Sequence, residues 1–357
     1  MNELWSPLLE KAYAKLKGNY YGALTDGITL ESLVDLTGGI GYFINLQMYR
    51  DKEKLKKTLF GMMDKSHKAG SLMACSKGIH TMGVTKVVEL SPPALKQITR
   101  LIRIRDPHGY RTKEEWTGAW CDGCSEWNQL SPAELEKLEY IDKKDGEFWM
   151  TYEDFMKNYD SINFAFSSPN DVSDQLNSDK WQTSEVKGRW TKNITAGGSL
   201  DLSPETYHMN PQYKITLDKP DAGDDCNLIV SLMQDCDRRK KDGCTTSLKF
   251  IGFKIYKISE SVNDPLDTEF LEDEDNIMIS NYHPFGMEKK YWHLREQTGW
   301  FTLEPGTYMI IPSINLQNIE GTFLLRIFVD VNYKFKAVNC KGEGCKVAPP
   351  KPVHDEL

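Results

Sequence analysis

The chain has 357 residues, 44 Lys+Arg against 52 Asp+Glu for a formal net charge of −8, and 39% hydrophobic residues. That acidic balance excludes a general nucleic-acid binder, which needs a basic face to neutralise phosphates, and ordinary glycine, proline and charge content excludes fibrous and disordered classes. No run reaches the roughly 18 apolar residues needed to cross a bilayer, and at about 150 residues per domain the length predicts two domains.

The N-terminal segment MNELWSPLLEKAYAKLKG lacks the apolar run of a secretory signal, so a soluble, cytoplasmic chain with reduced thiols is expected. Ser6 and Pro7 open a helix over 6–17, with Leu8, Leu9, Ala12 and Leu16 at helical spacing. Further helices are predicted over 30–36 and 51–68, the latter with Leu55, Leu59, Met62 and Met63 as one stripe. From Gly70 the segments GSLMACS, HTMGVTKVVEL and ITRLIRIR read as strands. Ser131-Pro132 with Glu134, and Thr151 with Asp154, start two more helices. The polar, turn-rich stretch 167–187 reads as a linker. After it come only strand-like runs, among them NLIVSLMQ, SLKFIGFKIYKI, GTYMIIPS and GTFLLRIFVDVNYKF, which predict an antiparallel β-sandwich over 188–336. Residues 337–357 are Pro/Lys-rich and expected to be a disordered tail.

Of the eight cysteines, Cys121/Cys124 and Cys340/Cys345 are close pairs, but neither has a second pair or a His at finger spacing, so thiols rather than zinc ligands are expected. Asn193-Ile194-Thr195 fits a glycosylation sequon and His354-Asp355-Glu356-Leu357 an ER-retention signal; both need a secretory route for which no signal is visible.

The segments LWSPLLEKAYAKLKGNYYGALTDG, EEWTGAWCDGCSEW, DGEFWMTYEDF, KGRWTKNITAGG, YHPFGMEKKYWHLRE and LEPGTYMIIPS, in that order, resemble the calpain family of calcium-dependent cysteine endopeptidases. The resemblance covers nearly all of 1–336. It implies an α+β fold: a papain-like right-hand protease subdomain of helices and antiparallel sheet over 1–166, the second half of the protease core, followed by the family's antiparallel β-sandwich. In the family a Cys at a helix N-terminus, in a QGxxGDCW motif, is activated by a His and an Asn. No such motif occurs here, so the resemblance implies an N-terminally truncated core without the nucleophilic Cys half and inactive alone.

By the same resemblance His80, in Gly78-Ile79-His80-Thr81, aligns with the base, after a Ser76–Gly78 connection much shorter than the family's loop. Asp106, in Asp106-Pro107-His108-Gly109, aligns with the Asn of N-P-W-G; a carboxylate can accept the same ring N–H, while His108 replaces the covering Trp. Cys75 lies in a strand with no helix N-terminus behind it and is not expected to act as nucleophile. The family's calcium site in this subdomain implies Glu115, Asp122, Asp145 and Glu147 as carboxylate ligands, with a backbone carbonyl near Lys143. The sandwich also carries acidic loops (Asp218, Asp221, Asp224, Asp225; Glu272, Asp273, Glu274, Asp275) and, separately, a basic turn, Arg238-Arg239-Lys240-Lys241, expected to add weak contact with anionic lipid. Expected partners are protein substrates or regulators. The alternative to an endopeptidase half is a non-enzymatic, calcium-binding regulator or decoy.

Overall fold

The computed structural model describes residues 4–18, 24, 27–91, 98–109, 115–172, 180–221, 223–235, 248–259, 262, 264–273, 278–279, 291–339, 347 and 350–353. The basic turn Arg238–Lys241, Glu274, Asp275, Cys340, Cys345 and the C-terminal HDEL lie outside them. Residue contacts divide the chain into two units, Leu33–Asn177 and Met1–Ser32 with Ser178–Glu356.

The first unit is α+β. Its sheet contains β1 (Ile40–Asn45), β2 (Leu72–Lys77), β3 (His80–Leu90), β4 (Thr99–Arg105), β5 (Glu147–Thr151) and β6 (Ser161–Phe166), antiparallel throughout in the order β1-β6-β2-β3-β4-β5. A short helix over Thr29–Thr37 (α2) precedes β1, and a helix over Glu53–Lys68 (α3) packs on β2 and β3, burying Leu59, Met62 and Met63, the stripe that its helical period puts on one side. The helix at Pro132–Leu138 (α4) starts with a reciprocal capping box: the Glu134 backbone N–H donates to Ser131 Oγ while Glu134 accepts from the Ser131 backbone. Thr151 caps Tyr152–Asn158 (α5) by accepting from Asp154 N at 3.0 Å. Beneath α4, Trp127 stacks on Tyr140 at 4.1 Å and meets Trp120 and Trp149 edge-on, a satellite core under the loops described below.

Two strand features position the site. β2 and β3 form a tight hairpin in which Lys77 pairs with His80, so His80 opens β3 directly after the Gly78-Ile79 turn. Asp160 clamps this turn, accepting from Gly78 N at 2.8 Å and donating its own N–H to Ser76 O. Between Val84 and Lys86 the β3–β4 register shifts, leaving Thr85 as a bulge whose hydroxyl donates to Glu147 Oε1 at 2.8 Å.

The second unit contains two five-stranded antiparallel sheets. One runs β11 (Met278–Ile279), β10 (Ile251–Ile258), β13 (Gly306–Ile314), β8 (Tyr213–Leu217), β15 (Tyr333–Ala337); the other runs β12 (Glu296–Leu303), β9 (Cys226–Gln234), β14 (Gly321–Val329), β7 (Gln182–Trp190), β16 (Lys351–Pro352). Val186, Leu228, Val230, Ile255, Ile310, Leu325 and Ile327 meet in their common core, as period-2 strands with one inward face require. The boundary at 188 drawn from the sequence falls inside β7, and Lys351–Pro352 adds a short edge to β7 within the segment expected to be a tail. In β12, β9 and β14 the second face is also buried, and there Arg326 donates to the fully buried Glu296 at 2.6 Å, which also accepts from Ser231.

This unit also contains the N-terminal helix Trp5–Lys17 (α1). Lys17 at its end pairs with the fully buried Glu31 at 2.8 Å. The apolar residues that the sequence puts at helical spacing are exposed, Leu8 at 62%, Leu9 at 46% and Leu16 at 73%, and so is Trp5 at 65%. Among its residues only Ala14 is buried.

Candidate functional site

The ends of β3 and β4 bring His80, Asp106 and His108 together. β4 ends at Arg105, and Asp106-Pro107-His108-Gly109 turns away from it with Gly109 at φ +58°. An aspartate followed by proline favours such a turn, because its carboxylate can accept the N–H two residues on. Asp106 does so, accepting from His108 N at 2.8 Å, and the same oxygen meets His108 Nδ1 at 2.7 Å. Asp106 is buried and His108 exposed, with the exposed His80 ring edge-on to His108 at 5.9 Å. The two residues expected to pair are thus in one cluster, with His108 making the ring contact to Asp106.

The acidic residues lie on two neighbouring loops. Glu115 accepts from Gly146 N at 2.6 Å, which ties the 115–122 segment to the 142–147 segment. Asp122 has both carboxylate oxygens buried, and neither makes a hydrogen bond of full geometry. Burial and the neighbouring Glu115, then Asp142 and Asp145, push its pKa up to about 6, offset in part by the Lys143 backbone amide. Glu115, Asp142 and Asp145 are therefore neighbours of Asp122, and what Lys143 presents to Asp122 is its backbone N–H rather than the carbonyl expected as a ligand. Glu147 is placed differently: its carboxylate is taken by Thr85, with Arg103 Nε 3.5 Å away. Among the described residues no three His, Cys, Asp or Glu side chains converge closely enough to enclose a metal ion as they stand.

Asp122 lies within the Cys121-Asp122-Gly123-Cys124 turn, and here the expectation of reduced thiols is corrected. Cys121 and Cys124 are joined as a disulfide, because Gly123 at φ +72° and the Cys124 N to Cys121 O hydrogen bond (3.1 Å) bring their Cα atoms to 5.2 Å. Cys75 and Cys226 are buried free thiols. Burial pushes the Cys75 thiol well up and Cys226 up to about 11, so neither is a ready nucleophile.

The two clusters meet at Gly146. Asp106 N donates to Gly146 O at 2.8 Å, and a Cβ on Gly146 would lie 2.6 Å from Gly109 Cα. The acidic loop therefore packs backbone against backbone on the turn that holds Asp106 and His108.

Comparison with known proteins gives the arrangement its context. Residues 1–165 match the calpain family cysteine protease profile, and residues 186–328 match calpain large subunit, domain III. The chain belongs to the calpain family. Calpain-8 of Rattus norvegicus is 35% identical over 93% of this chain and 48% of its own length. Calpain-A of Drosophila melanogaster is 33% identical over 99% and 44%, and the Calpain-2 catalytic subunit of Homo sapiens 34% over 95% and 49%. The chain spans about half the length of the curated relatives it matches. Calpain membership carries the α+β protease-core fold and the following sandwich. Sequence reasoning about the site missed Asp142, the contact of His108 with Asp106, and the part played by Gly146. Of these only the Asp-Pro-His-Gly turn left a readable signal.

Proposed function

We propose that this chain is the base-bearing half of a calpain-type, calcium-regulated cysteine endopeptidase that acts on proteins in the cytoplasm, and that its 357 residues alone do not hydrolyse peptide bonds. The observation that carries this reading is the clustering of His80, His108 and Asp106 on strand ends, joined through Gly146 to the acidic loops. In thiol protease chemistry a histidine takes the proton from the attacking thiol, and a group accepting its other ring N–H orients it and favours the imidazolium. His80 has the family position for the first role and Asp106 the chemistry for the second, once His108 releases the carboxylate.

The acidic loops fit calcium by the chemistry of their donors. Hard oxygen ligands are grouped there, and the buried Asp122 oxygens are under-satisfied among like charges. Glu115, Asp122 and Asp145 would hold the ion, with a backbone carbonyl near Lys143 completing the shell and Asp142 beside them. Bound calcium would supply the counter-charge that lets these carboxylates stay ionised together. Glu147, held by Thr85 and Arg103, braces the start of β5.

A specific observation favours a second reading, a non-enzymatic calcium-binding regulator: Asp106 is already engaged by His108. Both readings predict that the purified chain with calcium leaves casein and fluorogenic peptides intact. An epoxysuccinyl thiol reagent should label no cysteine stoichiometrically. Turnover accompanied by labelling of Cys75 would overturn both. Fusion of a nucleophile-bearing half from a relative separates them: the endopeptidase reading predicts calcium-activated cleavage lost in His80→Ala, and the regulator reading predicts none.

A further inference from the structure

We propose that Cys121 and Cys124 form a reversible thiol–disulfide centre that sets the calcium affinity of the acidic loops through Asp122, the residue they bracket. The proposal rests on the calcium reading above and adds a redox control to that same site.

Geometry comes first. The disulfide closes a four-residue ring around Asp122-Gly123, and the ring fixes the backbone from which the Asp122 carboxylate is held, its oxygens buried, near Glu115, Asp142 and Asp145. Without that closure the carboxylate would gain by rotating into water, away from three like charges. A ring that prevents this keeps the ligand arranged for a cation before the cation arrives, and such preorganisation raises affinity by removing an ordering cost.

Access comes second. Cys121 and Cys124 are both partly exposed, so a small reagent can reach them, whereas Cys75 and Cys226 are fully buried. Reduction is thiol–disulfide exchange with a dithiol. One donor thiolate attacks a sulfur of the pair, the Sγ–Sγ bond breaks, and a mixed disulfide forms. The second donor thiolate then displaces the remaining chain sulfur. The donor leaves as its own disulfide, and Cys121 and Cys124 gain two electrons and two protons as thiols. Oxidation is the reverse exchange with a disulfide reagent.

Readout comes third, because the turn is wired to an aromatic pair. Trp127 Nε1 donates to Cys121 O at 2.8 Å, Gly123 N donates to the Tyr140 hydroxyl at 2.9 Å, and the two rings stack. Opening the ring should therefore change Trp127 fluorescence without calcium present.

The test is calorimetric titration of the full chain with Ca²⁺, oxidised and after dithiothreitol, with the state of Cys121 and Cys124 read by alkylation and peptide mass. Reduction should weaken binding about tenfold, and by reciprocity calcium should make the disulfide harder to reduce by the same factor. C121S/C124S should bind at the reduced value and ignore dithiothreitol. Equal affinity in both states, or a variant that still responds to dithiothreitol, overturns the proposal and leaves the calcium reading standing. No calcium heat in either state overturns the calcium reading and this proposal with it. Should the double variant fail to fold, the reversible cycle on the parent chain still decides.

Discussion

Replacing Gly146 by alanine probes the junction between the two clusters. Gly146 has φ +89°, outside the wells open to L-residues, which costs about 1–2 kcal/mol. Its new Cβ would lie 2.6 Å from Gly109 Cα and 2.8 Å from Gly109 O. Those are backbone atoms that cannot rotate away, and overpacking of that kind costs typically about 1–3 kcal/mol more. The sum is roughly 2–5 kcal/mol, or on the order of 5–15 °C in Tm for a domain of this size. Gly109→Ala is the matched control. At φ +58°, with its nearest contact Asp145 O at 3.5 Å, it should lose only about 1 kcal/mol. Scanning calorimetry in chelator ranks the two, and calcium titration should show weaker binding in Gly146→Ala than in Gly109→Ala. If the two variants melt together and bind calcium alike, the backbone contact at Gly146 does not join the acidic loop to the Asp106 turn.

Three further outcomes follow from single groups. Asp122 has a folded pKa near 6 against 3.8 unfolded, so the unfolded chain ionises first and stability falls as pH rises from about 4 to about 6. The face value is about 3 kcal/mol; solvent access reduces it to roughly 1–1.5 kcal/mol. Asp122→Asn in chelator should therefore be more stable than the parent at pH 7 and equal to it at pH 3.5, and identical melting at pH 7 would sink the argument. In the sandwich, Arg326→Met strands the buried Glu296 and should cost about 3–5 kcal/mol in urea denaturation, whereas adding Glu296→Leu should recover most of it. Full additivity of those two changes would show that the pair is not coupled. Thr85→Val should release Glu147 from the β3 bulge and cost about 1 kcal/mol, checked by denaturant unfolding; no loss would mean that the bulge does not brace β5.

Much of the fold was legible because its signals are local. Ser131 and Glu134 announce the start of α4, and the α3 stripe and the sandwich strands carry their own periods. β1, β5 and β6 were not read as strands: IGYFIN, EFWMT and SINFAF are short and buried on both faces, so they lack the alternation that marks a half-exposed strand. The α1 stripe was read correctly as apolar, but its exposure is tertiary information. At the site, the family resemblance rather than any local signal pointed to Glu115, Asp122 and Asp145. Asp142 reaches the cluster only because its loop folds against the Cys121–Cys124 turn, a Cβ on Gly123 lying 3.3 Å from its carboxylate. His108, noted for the indole it replaces, takes Asp106 by the proximity that an Asp-Pro turn imposes.

The central claim is that the acidic loops hold calcium and that the His–Asp turn feels it through Gly146. It is tested most directly by nuclear magnetic resonance of the chain labelled with ¹⁵N in its histidine rings and titrated with Ca²⁺. The account predicts that the His108 ring signals, and those of His80 beside it, shift along one saturating curve, and that Glu115→Gln with Asp122→Asn removes the shift. Ring signals unchanged at millimolar Ca²⁺, or shifted equally in the double variant, would contradict it.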